Sequence, residues 1–307
     1  MKKGPFYRKY IRPVKHGIGY IFIVMIMWIF RVLPRRLVLW KTRIAGKLGF
    51  FLLKKDRRTA LKNIEFIYPG MKKDNRRELA KNSFAFSAMN FVDIARLGKV
   101  DFSNREFYAI EGREYLDEYI EKYGGGIVIT GHIGCFEMIP GIVNSLGYKV
   151  AVIGRKLYDP RVDDLLVRRR ESAGIVNLAS DIYPRRIIKM IKEGFLFGIL
   201  MDTNTRSVEG QTAPLFGHET RTISGPITIA YLMKIPVLPM AIYRRDDGTF
   251  ILRISPWVEI PRTGDKKADI QKGLELANSA IERMIDFSPK EWIWYHERYP
   301  EHLEYSS

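Results

Sequence analysis

Thirteen residues from Ile18 to Phe30 (IGYIFIVMIMWIF) form the longest hydrophobic run of this 307-residue chain. As a helix the run spans about 20 Å, short of the roughly 30 Å hydrocarbon core of a bilayer, so it predicts a shallow or tilted insertion and not a clean span. Arg35 to Leu53 then places Leu37, Trp40, Ile44, Leu48 and Phe51 at spacings of 3, 4, 4 and 3, the pattern of an amphipathic helix with a basic face. A longer helix is expected over Asp74 to Leu97, after the break at Tyr68-Pro69-Gly70, and a shorter one over Tyr115 to Tyr123. The N-terminal third reads as mainly helical.

From Gly124 the pattern changes to short apolar strands alternating with helices. Strands are expected at Ile127 to Thr130, Val150 to Ile153, Ile175 to Leu178, Leu196 to Met201, Val237 to Ile242 and Phe250 to Ile254. Helices are expected at Cys135 to Leu146, Pro160 to Ala173, Arg185 to Lys192 and Gly225 to Met233. This order predicts an α/β fold with a largely parallel, mixed central sheet flanked by helices and preceded by an N-terminal helical membrane-associating segment. The last two strands, joined across Asp246-Asp247-Gly248, are expected to form an antiparallel hairpin at the sheet edge. Ile270, Leu274, Ala277, Ile281 and Met284 recur at helical spacing and predict a helix packed on the sheet.

Charge divides the chain unevenly. Residues 1–60 hold 16 Lys and Arg against one acid, Asp56, and so carry +15 of the formal +17; the other 247 residues have 35 bases and 33 acids. The expected organisation is therefore a basic membrane-associating segment over residues 1–60 and an α/β domain over 61–307. Lys2, Lys3, Arg8, Lys9, Arg12 and Lys15 precede the apolar run, and Arg31, Arg35 and Arg36 follow it. Such flanks suit an anionic membrane surface, with Trp28 and Tyr20 at headgroup level. They are odd neighbours for a buried core helix, and Arg31-Val32-Leu33-Pro34-Arg35 offers no signal-peptide cleavage site. A nucleic-acid-binding protein would spread its bases over a reading face, so no nucleic-acid partner is expected.

The candidate chemistry lies in Gly124 to Pro140, GGGIVITGHIGCFEMIP. His132 falls on a strand-to-helix loop, and Glu137, five positions on, is within reach of one imidazole nitrogen across a tight turn, leaving the other free as a base. A loop histidine beside a first-turn carboxylate favoured by the helix dipole reads the same way. Cys135, the single cysteine, excludes an intramolecular disulfide and is expected to be a buried residue, not a nucleophile. No Cys and His cluster has zinc spacing, Asp202-Thr203-Asn204 lacks the rest of a calcium loop, and no P-loop or dinucleotide fingerprint follows a strand. Neither a metal nor a nucleotide cofactor is expected.

His132-Ile133-Gly134-Cys135-Phe136-Glu137 resembles the HX4D/E motif of glycerolipid acyltransferases, and the wider pattern is similar to the lipid A biosynthesis acyltransferase branch, the late lauroyl and myristoyl transferases of Gram-negative bacteria. The likeness extends to Arg155 in IGRKLYDP, Arg185-Arg186 before a helix ending Lys192-Glu193-Gly194, Asp202 after a strand, APLFG through residue 217, Thr222 to Gly225, and the terminal EWIWYHERYP. Cys135-Phe136 stands where Asn-Trp is usual, Asp202-Thr203-Asn204 where Asp-Gln-Asp is common, and Leu215-Phe216-Gly217 where Phe-Phe-Gly is usual.

The resemblance implies an O-acyltransferase on the cytoplasmic face of the bacterial inner membrane, moving an acyl chain from acyl carrier protein or acyl-CoA to a hydroxyl of a phosphorylated sugar lipid. His132 would act as the base and Glu137 as its partner, with direct attack on the thioester and no acyl-enzyme. Arg155 and Asp202 would belong to the site, since both end strands at the carboxyl edge of a parallel sheet, where ligands bind in open α/β folds. Thr222 and Ser224 offer hydroxyls for phosphate, although an N-cap role before the Gly225 helix accounts for Ser224 equally well. His296 and Arg298, in the terminal aromatic segment, are expected to pack under the domain. An acyl-CoA-dependent enzyme acting on a glycerophospholipid or another glycolipid, and a non-catalytic membrane scaffold, are the competing readings.

Overall fold

The computed structural model describes residues 12–154, 159–179, 184–204 and 210–305. Four helices come first: α1 (Arg12–Val32), α2 (Arg35–Leu52), α3 (Lys54–Ile67) and α4 (Lys73–Arg96). The chain continues through β1 (Tyr108–Glu111), α5 (Arg113–Tyr123), β2 (Gly126–Thr130), α6 (Ile139–Ser145), β3 (Lys149–Gly154), α7 (Pro160–Glu171), β4 (Val176–Ala179), α8 (Pro184–Lys192) and β5 (Phe195–Leu200). It ends with β6 (Gly210–Leu215), β7 (His218–Ile223), α9 (Gly225–Met233), β8 (Val237–Arg244), β9 (Phe250–Ile254) and α10 (Lys266–Phe287).

Seven strands form the central sheet in the order β1-β9-β8-β2-β5-β3-β4. Neighbours from β8 through β4 are parallel; β9 runs antiparallel to β8, and β1 is parallel to β9. The largely parallel, mixed α/β sheet is as expected, but the β8–β9 hairpin does not form its edge. The four-residue strand β1 caps β9 on the outside. Every residue of β2 is buried, and the pleat sends its side chains to two cores. Val128 meets Leu116 and Tyr119 of α5 and Ile139, Ile142 and Val143 of α6, whereas Ile127 and Ile129 meet Ile187 of α8, Ile227 of α9 and Leu274 of α10.

Three further elements were not expected. Helix α3 buries Thr59, Ala60, Asn63 and Ile64; half of that face is polar, which hides the helical period from a hydrophobicity pattern. Asn63 donates to the carbonyls of Trp294 and His296, both at 2.7 Å. The polar face thus holds the C-terminal segment. Strands β6 and β7 form a separate antiparallel hairpin with Leu215 opposite His218, so Phe216 and Gly217 are its two-residue turn. Both have positive φ, 53° and 74°, as a turn matched to the right-handed strand twist requires.

Helix α2 packs closely on α4. A Cβ at Gly46 would lie 2.6 Å from the Ala85 Cα and 2.6 Å from the Phe84 carbonyl oxygen, so only glycine permits this approach. Arg96 of α4 donates to the carbonyls of Phe30 (2.5 Å) and Leu33 (3.0 Å) at the end of α1, satisfying groups that a helix terminus leaves free. Asp93 of α4 pairs with Arg35 Nε at 2.7 Å and with Arg244 Nη1 of β8 at 2.6 Å, with its carboxylate almost fully buried. The stripe Leu37, Trp40, Ile44, Leu48 and Phe51 faces outward instead, at 41–61% exposure, and α1 exposes Ile21, Phe22, Met25 and Trp28. Among the described residues no helix is long and apolar enough to cross a membrane.

Gly46→Ala is expected to destabilise the fold by about 1–3 kcal/mol, because a methyl group has no space there. Gly49→Ala, whose added Cβ would meet nothing nearer than Phe84 Cδ1 at 4.0 Å, should be neutral or stabilising by up to about 1 kcal/mol. Urea unfolding in detergent, followed by circular dichroism, checks the contrast.

Candidate active site

β2 and β5 are adjacent parallel strands with Thr130 paired to Leu200, and the ladder continues as the Met201 N–H donates to the Thr130 carbonyl at 2.9 Å. Two residues further along each strand, this register sets His132 opposite Asp202. Gly131 makes the approach possible, since a Cβ there would be 3.1 Å from the Asp202 Cγ. The His132 backbone N–H donates to Asp202 Oδ2 at 2.7 Å, and its ring Nδ1 lies 2.8 Å from Oδ1. Trp292 Nε1 donates a third bond to Oδ2 at 2.8 Å. Asp202 is 2% exposed.

Burial by itself would raise the carboxyl pKa of Asp202; the His132 charge and these hydrogen bonds outweigh it and hold the group well below the usual carboxylate range. An ionised carboxylate only accepts, so Nδ1 of His132 carries the hydrogen and Nε2 is the ring's free lone pair. Burial depresses the imidazole pKa, but the charge and hydrogen bond of Asp202, aided by the charge of Glu137, raise it above the ordinary 6.5. The side chain of His132 keeps 23% of its surface exposed. Phe136 packs edge-on against the ring at 5.0 Å, and the His296 ring stacks 5.8 Å away.

Glu137 is not the imidazole's hydrogen-bond partner. Its carboxylate is gripped by Arg170 of α7, Nε to Oε2 at 2.9 Å and Nη2 to Oε1 at 2.5 Å, while Nη1 reaches Asn177 of β4 at 2.6 Å. The expected helix from Cys135 begins instead as a single 3-10 turn, Phe136–Met138, before α6. That turn buries Glu137 against α7, where a buried carboxylate needs a cation. A Cβ at Gly154 would sit 2.8 Å from Arg170 Nη1, so that glycine leaves the guanidinium its place over the end of β3.

The loop itself is held from two sides. Gly134 has φ +55°, and a Cβ there would be 1.9 Å from the Ile242 carbonyl oxygen. Its N–H donates to the Glu291 carbonyl at 3.0 Å, and its carbonyl accepts from Asn90 Nδ2 at 2.7 Å. Cys135 is buried, and burial pushes its thiol well above the ordinary value, the opposite of an activated nucleophile.

Of the other expected site residues, Arg155 lies outside the described residues. Thr222 and Ser224 are 1% exposed and away from open solvent. The Thr222 hydroxyl accepts from Asn278 Nδ2 at 3.0 Å and from Arg298 Nη2 at 3.2 Å, so hairpin packing occupies it. Ser224 is the N-cap residue of α9 but makes no side-chain cap bond. The C-terminal segment packs into the domain, with Trp294, Arg298 and Tyr299 fully buried, but it also reaches the site: Trp292 bonds Asp202 and His296 adjoins His132, while Arg298 ties β7 through the Thr220 hydroxyl and the Arg221 carbonyl. Sequence reasoning missed Arg170, Trp292 and His296; for Trp292 and His296 the signal available was the terminal EWIWYHERYP motif itself, whereas Arg170 stands in a run of three arginines with nothing to single it out. Among the described residues no three His, Cys, Asp or Glu side chains converge as a metal set.

If Asp202 raises the His132 pKa, the pair stabilises the fold fully below the ordinary 6.5, and that contribution is lost as pH rises through the raised native value. In Asp202→Asn burial is opposed only by the charge of Glu137, so the imidazole should titrate below its wild-type midpoint. Imidazole nitrogen NMR measures both; an unchanged midpoint would contradict the assignment.

The family model for bacterial lipid A biosynthesis acyltransferases matches residues 6–301. A Haemophilus influenzae lipid A biosynthesis acyltransferase is 22% identical over 294 residues, 93% of this chain and 88% of the relative. From Escherichia coli, a lipid A biosynthesis palmitoleoyltransferase is 21% identical, covering 89% of this chain and 88% of its own, and a lipid A biosynthesis lauroyltransferase is 21% identical, covering 89% of each. With nearly the whole length matched, around a histidine set in a strand-to-helix loop, the chain belongs to the bacterial lipid A biosynthesis acyltransferase family and is an acyltransferase.

Proposed function

We propose that the chain moves a fatty acyl group from the thioester of acyl carrier protein or CoA to a hydroxyl of a lipid A precursor. The observation that carries the mechanism is the Nδ1 contact of His132 with Asp202 at 2.8 Å. It fixes the tautomer and leaves Nε2 to take a proton. The acceptor hydroxyl gives its proton to Nε2 as its oxygen attacks the thioester carbonyl. Asp202 stabilises the imidazolium so formed. The tetrahedral intermediate collapses with loss of the thiolate, which takes the proton from the imidazolium, and no acyl-enzyme is formed. Backbone amides at the start of the Phe136–Met138 turn are candidate donors to the oxyanion. Glu137, paired with Arg170, acts by holding that turn and by its charge on His132, not by bonding the ring.

The membrane is the source of the acceptor. The exposed apolar stripes of α1 and α2, with Arg36, Lys41, Arg43 and Lys47 beside them, form a surface suited to lying in the headgroup region of an anionic leaflet. The membrane-associating part of residues 1–60 is thus α1 and α2, while α3 crosses that boundary and packs with the catalytic domain, the whole lying at the cytoplasmic face of a bacterial inner membrane.

Acyl transfer in detergent, from acyl carrier protein and separately from CoA to a lipid A precursor, tests the reading. His132→Ala should lower kcat/KM by about 10²- to 10⁴-fold, the usual worth of a general base. Glu137→Gln, which keeps a hydrogen-bond acceptor for Arg170, should lose less. Wild-type rates in His132→Ala would remove the proposed base.

A further inference from the structure

A groove of about 540 Å³ runs between α2, α4 and the turn joining β8 to β9. Arg36, Arg43, Arg245 and Lys290 line it, and all four are exposed. Among the described residues none of them has an ion-pair partner, although Lys290 Nζ stands 5.4 Å from the Phe86 ring. Arg244, also on the wall, is paired with Asp93, which it shares with Arg35. Two carboxylates share the rim, Asp246 and Asp247; Asp247 is bound to the Thr249 N–H and hydroxyl, and the charges of Arg245 and Arg36 help to lower its pKa. Four cations against two acids leave the groove positive. An excess of like charge gathered in one groove marks a place where an anion supplies the missing charge.

The other wall is apolar, made by Leu39, Trp40, Phe86 and Met89. Trp40 belongs both to this wall and to the outward stripe of α2, where it is 61% exposed. The groove therefore opens beside the proposed bilayer-facing surface, with an aromatic ring at headgroup depth and guanidinium groups whose fork matches phosphate oxygens. It is also joined to the catalytic loop. Asn90 accepts from Arg244 Nη2 at 2.9 Å and donates to the Gly134 carbonyl at 2.7 Å.

We propose that this groove binds the phosphate-bearing headgroup of an anionic membrane phospholipid, separately from the acyl acceptor at His132. A lipid held there seats the enzyme on the leaflet with Asn90 and the His132 loop just inside. The proposal rests on the reading that the α1–α2 surface meets a bilayer.

Sedimentation with three kinds of vesicle tests it: phosphatidylcholine alone, phosphatidylcholine with phosphatidylglycerol, and phosphatidylcholine made equally anionic with oleate. Wild type should bind the phosphatidylglycerol vesicles most tightly. The double variant Arg245→Ser/Lys290→Ser, which leaves α2 untouched, should bind them roughly 30-fold more weakly, as expected for two cations at an anionic surface, yet still bind phosphatidylcholine as wild type does. Lys266→Ser/Lys267→Ser, the same loss of charge at the start of α10, should change nothing. Equal binding to oleate and phosphatidylglycerol vesicles, or a phosphatidylglycerol preference that survives in the double variant, would overturn the groove while leaving the bilayer reading intact. No binding of wild type to any vesicle would overturn both.

Discussion

The Asp202 carboxylate is the group on which the arrangement depends. An ionised carboxylate that is 2% exposed is costly unless its lone pairs are met, and here three donors meet them: the His132 ring, the His132 amide and the Trp292 indole. The register of β2 on β5 supplies the first two, and the C-terminal segment supplies the third. The order of the chain explains why a site begun at residue 130 is completed only near residue 292. The Ile133–Trp292 bridge and the Gly134 bond to the Glu291 carbonyl bring the terminal segment to the loop. Asn63 of α3 fastens that segment further along, at the Trp294 and His296 carbonyls.

Two further buried ionic contacts hold the surroundings at fixed distances. Glu137 with Arg170 joins the turn after His132 to α7, and Asp93 with Arg35 and Arg244 joins α2 and α4 to the end of β8. Removing Arg170 or Asp93 would strand a buried charge, which is more destabilising than the pair is stabilising. Glu291 extends this second network: burial lifts its carboxyl to about 7, and its Oε2 accepts from the Arg244 N–H at 3.0 Å. The membrane-facing helices and the catalytic loop are thereby parts of one packed unit, connected through Asn90.

Much of the fold was legible in the sequence, because β2, β5 and β8 are apolar runs of strand length and α10 keeps a strict 3–4 period. The elements that escaped have polar or brief burial: α3 with Thr59 and Asn63 on its inner face, the four-residue β1, and the β6–β7 hairpin, whose sequence GQTAPLFGHETRTI alternates poorly. The period of α2 was legible, but not its direction. The stripe from Leu37 to Phe51 faces outward, while Val38, Leu39, Gly46 and Phe50 face the protein. At the site, His132 and Asp202 were legible as ends of strands at one sheet edge. Their pairing was not, because it depends on which strands are neighbours. Sequence proximity favoured Glu137 over a residue 70 positions away, and only the sheet order β2-β5 reverses that choice.

The pH dependence of kcat/KM for acyl transfer reads the pairing of His132 with Asp202, since its acidic limb reports the base of the free enzyme. Expected are a wild-type limb above the ordinary imidazole value of 6.5, a limb displaced to lower pH in Asp202→Asn, and a much smaller displacement in Glu137→Gln. A limb that stays in place in Asp202→Asn but moves in Glu137→Gln would show that Glu137 governs the imidazole, and would contradict the pairing on which the mechanism rests.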